Sequence, residues 1–191
     1  DDDIDVCMLR EEYDRFLEAS KKDLNGSYFL QNYHTDKNFQ SQYSKIKKNN
    51  TRYIEELVQD VDMHQGIFID VFPYDHVRPQ TFKGRAQRIA IDQLKIINYC
   101  RVMRVNNSEE KKGLRLTKKA TYYLLKAIPK NKMDRLIAKL VRAFNHKDEK
   151  YVGELSISTG KRMYDSFVIK KEFFYDSIDW DFEGHKFPVP R

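Results

Sequence analysis

Apolar and polar positions alternate at the start of the chain. The run Asp1-Asp2-Asp3-Ile4-Asp5-Val6 has the two-residue period of a strand. Residues two apart in a strand share a face, so Asp1, Asp3 and Asp5 project together while Ile4 and Val6 face a core. Leu9, Tyr13, Phe16 and Leu17 then recur at helical spacing and Asn25-Gly26 stops the pattern, which predicts a helix over 9–24. Arg10, Glu11, Asp14, Arg15 and Glu18 form its expected wet face. Residues 28–32 predict a short strand, 34–40 a loop, and 42–48 a strand that closes on the turn Asn49-Asn50. The strongest strand is 67–72, short, β-branched and aromatic. Pro73 is expected to end it, with Asp75 and His76 just beyond.

The middle of the chain reads as helical. Ile89, Leu94, Ile97 and Val102 mark the core side of a helix over 81–105, and Ser108 with Glu109 and Glu110 marks the start of another. Residues 114–128 predict that second helix, closed by Pro129, and 133–144 a third. Strands return at 151–157 and 163–169, then a helical turn over 170–174, then a strand–turn–strand over 179–187. Strands at both ends with helices between predict an α+β or α/β fold: a small mixed sheet carrying the acidic strands, with a helical subdomain at 81–147. The 191 residues suit one domain spanning 1–191. The chain starts inside a strand pattern without Met and stops at Pro188-Val189-Pro190-Arg191, so it is expected to be truncated at both ends.

Asp70 changes the picture, because it sits inside an apolar strand where a charge is costly unless paired or bound to metal. Two carboxylates ~4 Å apart repel by ~4 kcal/mol at an effective dielectric of ~20. Carboxylates gathered on one face therefore meet water or a cation, and oxygen donors without neighbouring Cys or paired His favour Mg²⁺, Mn²⁺ or Ca²⁺ over Zn²⁺. The plainer alternative is a solvated chain end in which Asp5 complements the following helix. That junction would set the carboxylates beside a helix N-terminus, which favours an anionic ligand.

Charge adds a second cue. The net charge of +6 suits an anionic partner such as a nucleotide, a polyphosphate or a membrane surface. Lys45, Lys47 and Lys48 form a basic cluster, read first as a solvated edge and second as a phosphate clamp. A lone His64 is more often structural than catalytic. Cys7 and Cys100 lack metal-ligand spacing and are expected to be buried, reduced thiols. No apolar stretch reaches the ~20 residues of a membrane span. Neither G-x-x-x-x-G-K-[ST] nor G-x-G-x-x-G occurs, and no zinc-finger or RNP-like pattern supports nucleic-acid binding.

Several blocks together carry a resemblance. They are Asp1-Asp2-Asp3-Ile4-Asp5-Val6, Arg10-Glu11-Glu12-Tyr13, Leu30-Gln31, Tyr43-Ser44-Lys45-Ile46, Thr51, the run from His64 to Asp75 with Gly66-Ile67-Phe68-Ile69-Asp70-Val71-Phe72-Pro73, and Phe182-Glu183-Gly184-His185-Lys186-Phe187-Pro188-Val189-Pro190. In this order they resemble the LicD family, the group of the bacterial phosphocholine transferases and the animal fukutin-related proteins. The resemblance implies a nucleotidyltransferase-like fold and transfer of a substituted phosphate, phosphocholine or similar, from a CDP-linked donor such as CDP-choline to a sugar hydroxyl. The acceptor would be a glycan or teichoic acid precursor, and CMP would leave.

By position, Asp3 and Asp5 match the family's acidic pair and Asp70 its third acidic residue, with Asp1 as an outer ligand. The resemblance implies Mg²⁺ or Mn²⁺ at these residues, and Asp70 either completes that site or serves as general base. Lys45 and Lys47 are candidates for phosphate contact, Gln31 and His64 for positioning. The Gly- and Arg-containing segment that precedes the acidic strand in the family is missing here. The donor implies a cytoplasmic protein, with room for peripheral contact at the inner face of an anionic membrane. The alternatives are a D-x-D metal-dependent glycosyltransferase and a non-catalytic module that binds an anionic glycan.

Overall fold

A six-stranded sheet, four helices and a separate hairpin make up residues 5–102 and 128–190, the part of the chain that the computed structural model describes. Asp1, Asp3, Ser108 and most of the helix expected over 114–128 lie outside the described residues. The fold is α+β, with a mostly antiparallel sheet and a helical middle segment.

The sheet is built around β4 (Phe68–Val77). β1 (Asp5–Leu9) runs parallel to it, with Asp5 level with Asp70 and Leu9 with Tyr74. β3 (Ser44–Lys48) pairs antiparallel with residues 68–71, and β2 (Tyr28–Gln31) pairs with β3. β5 (Tyr151–Glu154) pairs antiparallel with residues 74–77 and carries β6 (Val168–Lys170). Asp70 registers with both β1 and β3, and Tyr74 with both β1 and β5. So β1 holds one edge of β4, while β3 and β5 follow one another along the other edge.

This arrangement explains why Pro73 does not end β4, as its position had suggested. On the antiparallel edge the partner changes from β3 to β5 between Val71 and Tyr74. Proline lacks an N–H, and it falls in that gap, where no ladder bond is needed. Asp75 and His76 are therefore inside the strand.

Helix α1 (Arg10–Asp23) follows β1 without a linker. Glu11 and Glu12 in its first turn and Lys21 and Lys22 in its last suit the helix dipole. Its inner face buries Tyr13, whose hydroxyl meets that of Ser44 at 2.5 Å. Arg10 is not on the wet face. It is buried and donates to both oxygens of Asp75, at 2.8 and 2.6 Å. Asn145 Nδ2 donates to the same carboxylate at 2.6 Å.

The main core lies where α2 (Phe82–Val102) and α3 (Lys130–Val141) cover β4 and β5. Val77, Ile91, Ile137, Val141 and Leu155 are buried there. Each such side chain contributes roughly 1.5–3 kcal/mol by leaving water. Among the described residues no helix is long and apolar enough to cross a membrane.

Two C-terminal expectations change. β5 stops at Glu154 rather than 157, because the Glu154 carboxylate accepts the N–H groups of Ile157 and Ser158 at 3.0–3.1 Å, with the N–H and hydroxyl of Ser156 also on it. The chain curls around that carboxylate. Residues 163–169 are mostly not a strand: α4 (Gly160–Phe167) precedes the short β6. Strand alternation would bury Ser166 beside Tyr164, yet Ser166 is exposed and its hydroxyl bonds back to Arg162 O at 2.9 Å, one turn earlier. Lys161 and Asp165 also pair at helical spacing.

The strand–turn–strand is the hairpin β7 (Ser177–Phe182) and β8 (His185–Pro190). Glu183 and Gly184 both take positive φ, 52° and 77°, the geometry a two-residue hairpin turn needs. Cys7, expected to be buried, is exposed at the β1 edge.

Candidate functional site

One row of side chains crosses four strands. Gln31 on β2 is level with Lys45 on β3, Lys45 with Asp70 on β4, and Asp70 with Asp5 on β1. Residues level on neighbouring strands share a face. The row thus gathers four of the expected site residues. Lys47 stands two residues along β3 on the same face, level with Phe68 and Phe29.

The lysines are not a solvated edge. Lys45 is 2% and Lys47 0% exposed. Their ammonium groups are held by one carboxylate from the loop between β3 and β4: Lys45 Nζ lies 3.0 Å from Glu55 Oε1, and Lys47 Nζ 3.5 Å from Oε2. Both cations also stand over the Phe68 ring, at 3.4 and 4.4 Å from its centroid. An ammonium is attracted to the face of an aromatic ring, which offsets part of the burial cost. Burial still holds the Lys47 pKa below its usual value, with Glu55 pulling the other way.

Asp70 is the electrostatic centre of the row. Lys45 Nζ is 3.1 Å from its Oδ1 and donates to Oδ2 at 3.4 Å, so Oδ1 is ion-paired but accepts no hydrogen bond. Burial pushes the Asp70 pKa from 3.8 up to about 6; Lys45 opposes the rise, and Glu55 and Asp5 add to it. Asp5 is exposed at the start of β1. α1 opens at the other end of β1, roughly 13 Å away at ~3.3 Å per residue. The helix N-terminus is therefore not beside these carboxylates, contrary to the expectation from the strand–helix junction.

Gln31 and His64 organise the loops around the row. Gln31 Nε2 donates to Asp36 Oδ2 at 2.8 Å and to His64 O at 3.1 Å. Its Oε1 is buried without a hydrogen-bond partner. The His64 ring takes the Gly66 N–H on Nδ1 at 3.1 Å, which leaves Nε2 to donate to Asn49 Oδ1 at 2.9 Å. Burial lowers its pKa, and the ring stacks on Phe29 with centroids 5.2 Å apart. Both ring nitrogens are thus engaged within the loop. Gly66 is required at this point, since a Cβ there would stand 2.4 Å from Lys48 O.

A cleft of about 820 Å³ opens beside the row, lined among others by Phe39, Tyr43, Lys45, Tyr53, Glu55 and Lys95. Lys45 is where the row meets the cleft. Three of its polar features had no signal in the sequence. Glu55 lies in an aperiodic polar stretch. Lys95 looks like one more helical lysine, yet it donates to Leu155 O at 3.0 Å and also to Ser158 O, and burial lowers its pKa. Glu154 orders the segment that brings Ser156 and Thr159 to the cleft, and burial raises its pKa against its hydrogen bonds.

Among the described residues no group of three or more His, Cys, Asp or Glu converges as a metal site. The pair Asp5 and Asp70 offers only oxygen donors, and Asp70 Oδ1 has acceptor capacity to spare. That is compatible with Mg²⁺, which takes one or two protein carboxylates and fills its other positions with water and phosphate. No family model, curated protein or solved structure matches this chain.

Proposed function

We propose that the chain is a LicD-like, metal-dependent phosphotransferase with a nucleotidyltransferase-like fold. It would move phosphocholine or a similar substituted phosphate from a CDP-linked donor to a sugar hydroxyl of a cell-surface glycan or teichoic acid precursor. The observation that carries this reading is the level pairing of Asp5 with Asp70 on adjacent parallel strands, with Lys45 beside them at the mouth of the cleft.

Asp5 and Asp70 are the residues that would hold Mg²⁺ or Mn²⁺, with Asp3 as a third candidate. When bound, the cation supplies neutralisation of charge on the donor's diphosphate. With a pKa of about 6, Asp70 is mostly ionised at neutral pH yet basic enough to accept the proton of the acceptor hydroxyl. Lys45 brings a positive charge to the edge of the cleft, and Lys47, fully buried behind it, shares the same Glu55 carboxylate. A donor phosphate would compete there with Glu55 for the same ammonium groups. Tyr53, exposed in the lining, offers ring surface for the nucleoside. CDP-linked donors are cytosolic in bacteria, so this reading places the protein in the cytoplasm.

The test is a thermal-shift screen with CDP-choline, CDP-ribitol, CDP-glycerol, CTP, UDP-glucose and ATP, each with Mg²⁺ and with chelator, followed by a CMP-release assay. A ligand at ~100 times its Kd adds ~2.7 kcal/mol, which a melting curve resolves. A Mg²⁺-dependent shift confined to cytidine compounds, with CMP released, supports the reading. A shift with UDP-glucose moves it to a glycosyltransferase. No shift with any donor overturns both.

A further inference from the structure

A second cavity, of about 620 Å³, lies where the start of α2 meets α4 and β5, and the proposed chemistry does not use it. Arg85, Arg88, Lys161, Asp165, Tyr151 and Tyr164 are among its lining residues. Three cations face one carboxylate, and Lys150 adds a fourth positive charge over the Tyr151 ring, 5.6 Å from its centroid.

The charges are not all spoken for. Arg88 pairs with Asp92 at 3.0 Å, and Lys161 with Asp165. Arg85 is exposed and has no carboxylate partner among the described residues. Tyr164 is 4% exposed, and its hydroxyl is buried without a hydrogen-bond partner. Burial pushes its pKa up to about 12, so it keeps its proton and remains a donor. The lining also takes in Gly84, in the first turn of the 21-residue α2, whose dipole favours an anion at that end. A cavity of this size fits a small organic ligand.

We infer that this cavity is a binding site for a phosphomonoester. The phosphate would sit against Arg85 and Lys161, and its organic part against the tyrosine rings. A guanidinium matches phosphate with two parallel N–H bonds, which makes Arg85 the anchor. The same chemistry is offered by a soluble sugar or glycerol phosphate and by the headgroup of phosphatidic acid.

The test uses the full chain. Glycerol 3-phosphate is titrated by calorimetry, and flotation is measured with phosphatidylcholine vesicles with and without phosphatidic acid. Arg85→Gln, at an exposed position, should leave Tm unchanged and weaken binding about tenfold, the loss expected for one charge-assisted contact. Asp165→Asn, which removes the one carboxylate of the lining, should tighten it. Glycerol 3-phosphate binding with this pattern identifies a soluble ligand. Binding only to phosphatidic acid vesicles with the same pattern identifies a lipid headgroup. Failure of wild type to bind either probe, or binding that ignores Arg85→Gln, overturns the inference. Asp70→Asn, which removes the proposed catalytic carboxylate, should leave this binding intact, so the two sites are tested separately.

Discussion

Lys45 and Asp70 stand level on adjacent strands, 3.1 Å apart at Nζ and Oδ1, and both are buried. Lys45 also holds Glu55, so one ammonium is shared between two carboxylates. Even with that cation beside it, burial holds the Asp70 pKa at about 6, above its ordinary 3.8. The row therefore carries an ionised group that the fold would prefer neutral. Asp70→Asn is expected to abolish CMP release and, at neutral pH, to stabilise the protein by about 1–3 kcal/mol. Paired melting curves and turnover assays check both halves. A variant that keeps wild-type turnover removes Asp70 from the site.

The same group sets a pH dependence. In the native state Asp70 keeps its proton up to about pH 6, while in the unfolded chain it loses it near 3.8. Between those values the native state binds more protons, so this residue's contribution falls as pH rises from about 4 to about 6 and stays flat above. Urea titrations across that range should show the decline in wild type and not in Asp70→Asn. If Asp70 acts as general base, turnover falls about tenfold per pH unit below about 6.

Lys47 separates binding from folding. Its ammonium is fully buried and its pKa is depressed by that burial. Lys47→Met keeps the length of the side chain and its contact with Phe68 while removing the buried charge. Tm should hold, because Glu55 keeps Lys45 as its partner and is not left as an uncompensated buried charge. The KM for the CDP donor should rise about tenfold if Lys47 contacts phosphate. An unchanged KM would assign Lys47 to the fold alone.

Arg10 gives the opposite result. Removing it leaves Asp75, 1% exposed, with one side-chain donor, Asn145, in place of three bonds. Arg10→Ala should cost about 3–5 kcal/mol in chemical denaturation. Because Arg10 lies on the face opposite the row, KM in the folded fraction should not move.

Local periodicity carried much of the fold. α1, β3, β4 and the hairpin follow from spacing and turn residues, because each is fixed by which face is apolar. The errors share another cause. Whether Lys45, Lys47 and Arg10 are wet or buried depends on Glu55, Phe68 and Asp75, which approach only in the folded sheet. Pro73 stays in a strand because two different neighbours meet at that point. β5 stops early because a single carboxylate captures the N–H groups of Ser156, Ile157 and Ser158. The carboxylate pair Asp5 and Asp70 was legible, since alternation within a strand and a charge inside an apolar run are local signals. Glu55, Lys95 and Glu154 were not, since none departs from its surroundings in sequence.

The parallel pairing of β1 with β4 has a consequence for how the chain tolerates insertion and deletion. Asp5 is level with Asp70 in one alignment of the two strands, and no residue separates β1 from α1 to take up slack. Sliding β1 by a single position would set Asp5 against Ile69 or Val71 and turn its carboxylate to the opposite face. Loss of one residue between Val6 and Leu9 would thus spare the core under α2 and α3 and dissolve the carboxylate pair. The spacing from Asp5 to Arg10 therefore decides whether the two carboxylates meet.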